Sequence, residues 1–209
     1  MKKEYYQLDR VEMLDFVQMK PTTCLDVGCG EGNFGKVLKQ HFGSEVWGIE
    51  PVESAAQVAA QKLDNVIHDF FHEELLPDHH FDLISFNDVL EHMNDPWKTL
   101  VSCKSKLTSK GHILASIPNI LYFHDFMNML LTKDWKYEEA GIFDRTHLRF
   151  FTKKSTIRLF EESGYEIVSI HGIRPTDSKK FTLFNLATLG YWKEAQFLQF
   201  AVYAKPKEN

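Results

Sequence analysis

The stretch CLDVGCGEGNFGKVL, residues 24–38, constrains this chain more than any other: a short apolar run stops at a cluster of glycines and a helical pattern begins. Cys24, Leu25 and Val27 are small or apolar and Asp26 is the single interruption, so the segment suits a buried parallel strand with one acid near its carboxyl end. Gly28, Gly30 and Gly32 follow, where a Cβ would block the turn dihedrals or the approach of backbone to a ligand. Apolar residues then fall at Phe34, Val37, Leu38 and Phe42, which is helical spacing. The glycines, with Cys29 and Asn33 among them, therefore precede a helix N-terminus whose unpaired N–H groups face a ligand.

The glycines fit two patterns. Gly28-x-Gly30-x-Gly32 is a nucleoside-binding spacing, whereas Gly30-x-Gly32-x-x-Gly35 fits the dinucleotide fingerprint. Strand register favours the first, because the glycine that closes the strand is Gly28 and the last fingerprint position from there is Asn33. Asp26 favours it too: a carboxylate there repels phosphates and suits a ligand bearing an ammonium group.

Apolar residues from Leu8 to Val17 recur helically and predict a helix over 5–19, ended by Lys20-Pro21. EVWGIEP, residues 45–51, is an apolar strand ending in Glu50, twenty residues after Gly30, the interval at which a βαβ unit returns a carboxylate to ribose hydroxyls; Pro51 opens the next helix. NVIHDFF, residues 65–71, is a short third strand with Asp69 and Phe70 at its end, and Phe81–Phe86 is a fourth. Asn87, Asp88 and Val89 leave that fourth strand where open α/β sheets bind ligands, and Pro96 opens a helix. A fifth strand runs through SKGHILASIPN, and Thr152 caps a helix that ends at Gly164. YEIVSIHGI and QFLQFAVYAKP complete the strands. The aromatic-rich insert 120–151, holding Tyr122, Trp135, Phe143 and His147, reads as an acceptor-side pocket wall in which about half of the rings simply pack. The insert 174–194 reads as a cover over the pocket or over a partner subunit, so a homodimer is compatible with the chain.

LDVGCGEGNFG, GIEP, FNDVLEHMNDPW and DRTHLRFFT together resemble class I S-adenosylmethionine-dependent methyltransferases, within them the small-molecule and surface-glycan subgroup related to ubiquinone-type O-methyltransferases. The resemblance covers about residues 5–172. It implies a Rossmann-like, doubly wound α/β sheet of seven strands in the order 3-2-1-4-5-7-6, the last antiparallel, with helices on both faces. It implies S-adenosylmethionine as cofactor and S-adenosylhomocysteine as product, with the Gly28–Phe34 loop, Glu50 and Pro51 at the nucleoside. Asp69 would accept from the adenine amino group, the backbone of Phe70 would bond the ring, and Tyr5, Tyr6 and Arg10 would help roof the pocket. His92 or His147 would be the base. Tyr122, Asp144 and Arg149 fall to the acceptor side, with an Asp144–Arg149 ion pair as the structural alternative. N-methyltransferases acting on adenine or glutamine carry two prolines and an aromatic after the fourth strand; Val89-Leu90 here depart from that and favour a hydroxyl acceptor on a small metabolite or sugar. A cofactor-binding protein without activity and an NAD-dependent oxidoreductase are the rival readings.

At 209 residues, 44% hydrophobic and 25% charged, the chain suits one domain over 1–209. A net charge of −5 leaves no basic footprint for a nucleic acid, so the expected partner is a small-molecule acceptor. The start MKKEYYQLDR has no apolar core and no run reaches the ~18 apolar residues of a membrane span, which predicts a cytoplasmic protein. Cys24, Cys29 and Cys103 show no ligand spacing, nor do the acids and histidines, and no metal is expected.

Overall fold

The computed structural model describes residues 9–207. Seven strands form one sheet in the order β3-β2-β1-β4-β5-β7-β6. The strands are β1 (Thr23–Val27), β2 (Glu45–Ile49), β3 (Asn65–Ile67), β4 (Phe81–Asn87), β5 (Leu107–Pro118), β6 (Tyr165–Pro175) and β7 (Phe197–Pro206). β1 to β5 pair in parallel, while β7 runs antiparallel to both β5 and β6. The order expected from the resemblance is the order observed.

Alternation along the strands explains why helices must cover both faces. On β5, Ile113, Ala115 and Ile117 enter one core with Val202 and Ala204 of β7, whereas Leu114 points to the opposite core with Ala201 and Tyr203. The helices α3 (Pro96–Lys106) and α5 (Lys153–Glu162) cover the first face through Leu100, Cys103, Leu159 and Phe160. The second is covered by α1 (Asn33–Phe42) through Phe34 and Leu38 and by α2 (Glu53–Ala59) through Ala59. Gly35 and Gly48 let these layers close, since a Cβ on either would lie under 3 Å from a side chain of Leu63 or Cys29.

The helix starts follow local chemistry. Asp95 accepts from the Lys98 N–H at 3.0 Å and Pro96 follows at the first helical position of α3. Thr152 and Ser155 close a reciprocal capping box on α5. Beyond β5 the chain forms α4 (Phe123–Thr132), and between β6 and β7 it forms α6 (Lys179–Ala187). These two inserts pack on each other through Phe123, Phe181, Phe184 and Trp192.

The N-terminal expectation needs correction. Over the described part of the helix predicted for 5–19, the chain forms a six-residue 3-10 helix, Val11–Phe16. Arg10 sits in the left-handed region at φ 50°, which ends any α-helix at that point, and its side chain is drawn into the end of the sheet. Tyr5 and Tyr6 lie outside the described residues. No helix among the described residues is long and apolar enough to cross a membrane.

Candidate active site

The carboxyl ends of β1, β2 and β4 open onto a cavity of about 830 Å³, where the order of strands reverses. Its wall holds Asp26, Gly28, Cys29, Gly30, Phe34, Glu50, Pro51, Phe70, Asn87, Asp88, Val89 and His92 among the residues singled out by sequence. Gly28 is at φ 66°, and a Cβ there would lie 2.7 Å from Val89 Cγ2, so the loop fits against Val89 only as glycine.

Two buried carboxylates set the electrostatics. Glu50 accepts from the N–H groups of Gly30 and Val52, both at 2.9 Å, so one acid fixes the glycine loop and the start of the next turn. A carboxylate has about four acceptor positions, and two remain for a ligand. Burial raises the Glu50 pKa above the usual carboxylate range, opposed by those two amides. Asp26 accepts from the Ser85 hydroxyl at 2.7 Å. Burial lifts its pKa to about 7, against the Ser85 hydrogen bond and with the help of nearby Glu50. Asn87 presents a buried amide whose oxygen and nitrogen have no hydrogen-bond partner among the described residues, an arrangement that costs free energy unless a polar ligand fills it.

The chain places three of the expected cofactor residues off this wall. Gly32 is the N-cap of α1, and its missing Cβ makes room for Ala59 of α2, which would otherwise lie 3.1 Å away. Asn33 turns its amide oxygen to Lys62 Nζ at 2.6 Å. Asp69 is exposed and accepts from the N–H of Phe70 at 2.7 Å.

On the acceptor side the histidines come together. The rings of His92 and His147 are 4.6 Å apart, although only His92 reaches the cavity. His147 is buried and its Nδ1 lies 3.0 Å from the Ile142 carbonyl, which can only accept, so Nδ1 carries the proton and Nε2 the lone pair. His92 is fixed the same way: its Nδ1 is 3.1 Å from the Thr146 carbonyl and 3.0 Å from the Thr146 hydroxyl, whose own proton goes to Asp144 at 2.6 Å. Asp144 is thus a turn residue, and burial, opposed by the two Thr146 hydrogen bonds and outweighed overall, leaves its pKa below the usual range. Arg149 donates to the carbonyls of Leu148 and Asn94, so it fastens the loop through backbone oxygens rather than through Asp144. Tyr122 is the N-cap of α4 and is absent from the cavity wall, and from the whole insert 120–151 only Thr146 reaches it.

Sequence reading gave Arg10 little weight and missed Glu91. Arg10 is buried, pairs with Asp88 Oδ2 at 3.1 Å, donates to Gln199 Oε1 at 3.0 Å and also bonds the Ser116 hydroxyl. Glu91 is only 1% exposed, and its backbone carbonyl accepts from the N–H groups of Leu148 and Arg149. Adjacency to His92 was the one available signal for Glu91.

Sheet order, glycine loop and paired acids define a nucleotide-type α/β transferase site. The chain matches the methyltransferase domain family over residues 3–170 and belongs to it. It is 24% identical over 163 residues to the ubiquinone biosynthesis O-methyltransferase of Coxiella burnetii, covering 75% of this chain and 69% of that one. It is 27% identical over 160 residues to that of Aromatoleum aromaticum, with 71% and 66% covered. A Thermotoga maritima structure described as a SAM-dependent methyltransferase, possible histamine N-methyltransferase, shares the fold with TM-score 0.66 at 16% identity, over 97% of this chain and 89% of that one. The cofactor of this class I methyltransferase is S-adenosylmethionine. The residues fit it: Gly28 leaves the space that a side chain would fill, and the buried Asn87 amide awaits polar partners.

Proposed function

We propose that this chain transfers a methyl group to a hydroxyl oxygen of a small metabolite or sugar, with Asp26, Glu50, Asn87 and the Gly28–Gly30 loop holding the cofactor. S-adenosylmethionine supplies an electrophilic methyl on a sulfonium; the oxygen–carbon bond forms as the carbon–sulfur bond breaks, and the electron pair stays with sulfur. Everything else falls to the protein. Glu50 offers two remaining acceptor positions to a diol, and Asp26 offers a carboxylate to an ammonium group. The Val89 side chain against Gly28 and the cavity walls align the reactants and exclude water, and alignment of this kind contributes about 7–11 kcal/mol.

The observation that carries the oxygen acceptor is the His92–His147 pair, with both Nδ1 atoms tied to carbonyls, which places the ring lone pairs on Nε2. A hydroxyl, unlike a free amine, must lose its proton on methylation, and this pair is where that proton is removed. The similarity to ubiquinone biosynthesis O-methyltransferases supports the same acceptor atom.

The test is incubation with methyl-labelled cofactor and a panel of phenolic, sugar and amine acceptors. Label should enter a phenolic or sugar hydroxyl, and His92→Ala should lower turnover while leaving S-adenosylhomocysteine affinity unchanged. Label found only on amines would overturn the assignment.

A further inference from the structure

The α6 helix is apolar on both sides. Phe181 and Phe184 turn inward against Phe123 of α4, while Leu183 and Leu186 on the opposite side are 69% and 72% exposed. A helix that is apolar all round belongs between two packed layers, and among the described residues only one covers it. The apolar face continues past the helix end, where Leu189 is 96% and Tyr191 81% exposed. Leu189 also stands at φ 53°, a left-handed conformation that a leucine adopts at a cost. The platform beneath is fixed: Asn119 Nδ2 donates to the carbonyls of Glu194 and Phe197 at 3.1 and 3.0 Å, and Phe126 stacks on Trp192. Charge on α6 is reversed as well. The helix opens with Lys179 and Lys180, both exposed, and has no acid in its first turn and no basic residue in its last. Cations are disfavoured at the positive N-terminal end of a helix dipole and favoured at the negative C-terminal end.

We propose that this face is covered by a second copy of the chain, with the two α6 helices packed antiparallel about a twofold axis through Leu183. Leu183 is the middle residue of Lys179–Ala187, so the axis brings it against its own counterpart and sets Lys179 beside Ala187 of the second copy. The lysines of each helix then lie at the C-terminal carbonyls of the other, and the misplaced charge of one chain becomes complementary between two. Leu186, Leu189 and Tyr191 extend the contact on either side of the axis. With Leu183 they expose about 400 Å² of apolar surface per copy, and a standard interface takes about 800 Å² from each partner, a little over half of it apolar. An anionic lipid surface fits less well. Two lysines on a chain of net charge −5 fall short of the about four to eight cations that hold a basic segment there. No α6 residue lines the cofactor cavity, so the interface is separate from the methyl-transfer site.

The experiment is sedimentation equilibrium of the whole chain from low micromolar to near-millimolar concentration, for wild type, Leu183→Glu, the double exchange Lys179→Glu with Lys180→Glu, and Val101→Glu on α3. Wild type should pass from monomer to dimer within that range. Leu183→Glu sets two carboxylates face to face across the axis and should weaken dimerisation more than tenfold, and the lysine exchange should weaken it in the same direction. Val101→Glu replaces an exposed apolar residue away from the face and should leave the dimer intact. S-adenosylhomocysteine affinity and the thermal midpoint of the monomer should match wild type in all of them. If Leu183→Glu does not fold, the lysine exchange decides alone. A wild type that stays monomeric throughout, or a dimer that survives both Leu183→Glu and the lysine exchange, overturns the proposal. So does a monomer that floats with phosphatidylglycerol vesicles and loses this in Leu183→Glu, since the face would then serve a lipid surface.

Discussion

The Glu50 carboxylate accepts from the Gly30 N–H at 2.9 Å across twenty residues of chain, so the acid closing β2 holds the loop closing β1. Its second oxygen holds Val52. Replacement by glutamine leaves an amide donor facing one of these N–H groups. Hydrogen bonds to a charged group contribute about 1.5–3 kcal/mol, so Glu50→Gln should weaken S-adenosylhomocysteine binding by about ten- to a hundredfold. Calorimetric titration checks it, and an unchanged affinity would remove Glu50 from the cofactor site.

A second prediction concerns Gly28 and Val89. Gly28→Ala places an L side chain at φ 66° and a Cβ 2.7 Å from Val89 Cγ2. The left-handed conformation costs about 1–2 kcal/mol by itself, and the clash adds to it. Val89→Ala removes the two Cγ atoms, so the double variant should recover the clash but not the dihedral cost. Thermal unfolding of the four proteins measures both parts; a double variant no more stable than Gly28→Ala would mean that Val89 yields freely.

What could be read from the sequence was local in origin. The β1 strand, glycine loop and α1 share one contiguous run, and Glu50 follows at an interval set by the βαβ unit, so both were legible. Asp69 ends a strand in the same way, but β3 stops at Ile67 and leaves that acid in solvent. From residue 9 onward the helix expected over 5–19 is cut short, because apolar periodicity does not register Arg10, which takes a positive φ and turns its side chain to Asp88 and Gln199. About half of the rings of the aromatic insert were expected on the cavity wall and half in packing, yet none lines the wall; Phe123 packs with Phe181 and Trp135 with Phe143 and Phe150, contacts that only the folded inserts create. Likewise nothing in the linear order shows that His92 meets Thr146 and His147.

Arg10 supplies a third prediction. It brings its guanidinium to Asp88, Ser116 and Gln199, joining the N-terminal segment to the ends of β4, β5 and β7. Removing one partner of a buried pair costs about 3–5 kcal/mol, and since Asp88 keeps the Ser116 hydroxyl at 3.2 Å, Arg10→Ala should fall at the low end. Urea unfolding checks it. Arg10→Lys should recover only part of the loss, because an ammonium cannot bond three partners in one plane.

The last prediction follows from Asp26. Its pKa rises from the ordinary 3.8 to about 7 through burial, with the Ser85 hydrogen bond lowering it and Glu50 raising it. The native state therefore keeps a proton that the unfolded chain releases above its ordinary pKa. The contribution of this group to stability is full below the unfolded pKa and is lost as pH rises through about 7, a difference on the order of a few kcal/mol. Asp26→Asn should flatten that part of the stability profile and raise stability near neutral pH. Ligand binding reverses the sign: an ammonium beside Asp26 favours the carboxylate, so S-adenosylhomocysteine binding should release a proton at mildly acidic pH and tighten as pH rises toward about 8. Calorimetry in two buffers of different ionisation enthalpy counts that proton. If the release and the slope persist in Asp26→Asn, the titrating group lies elsewhere, and Glu50, also raised by burial, is the next carboxylate to replace.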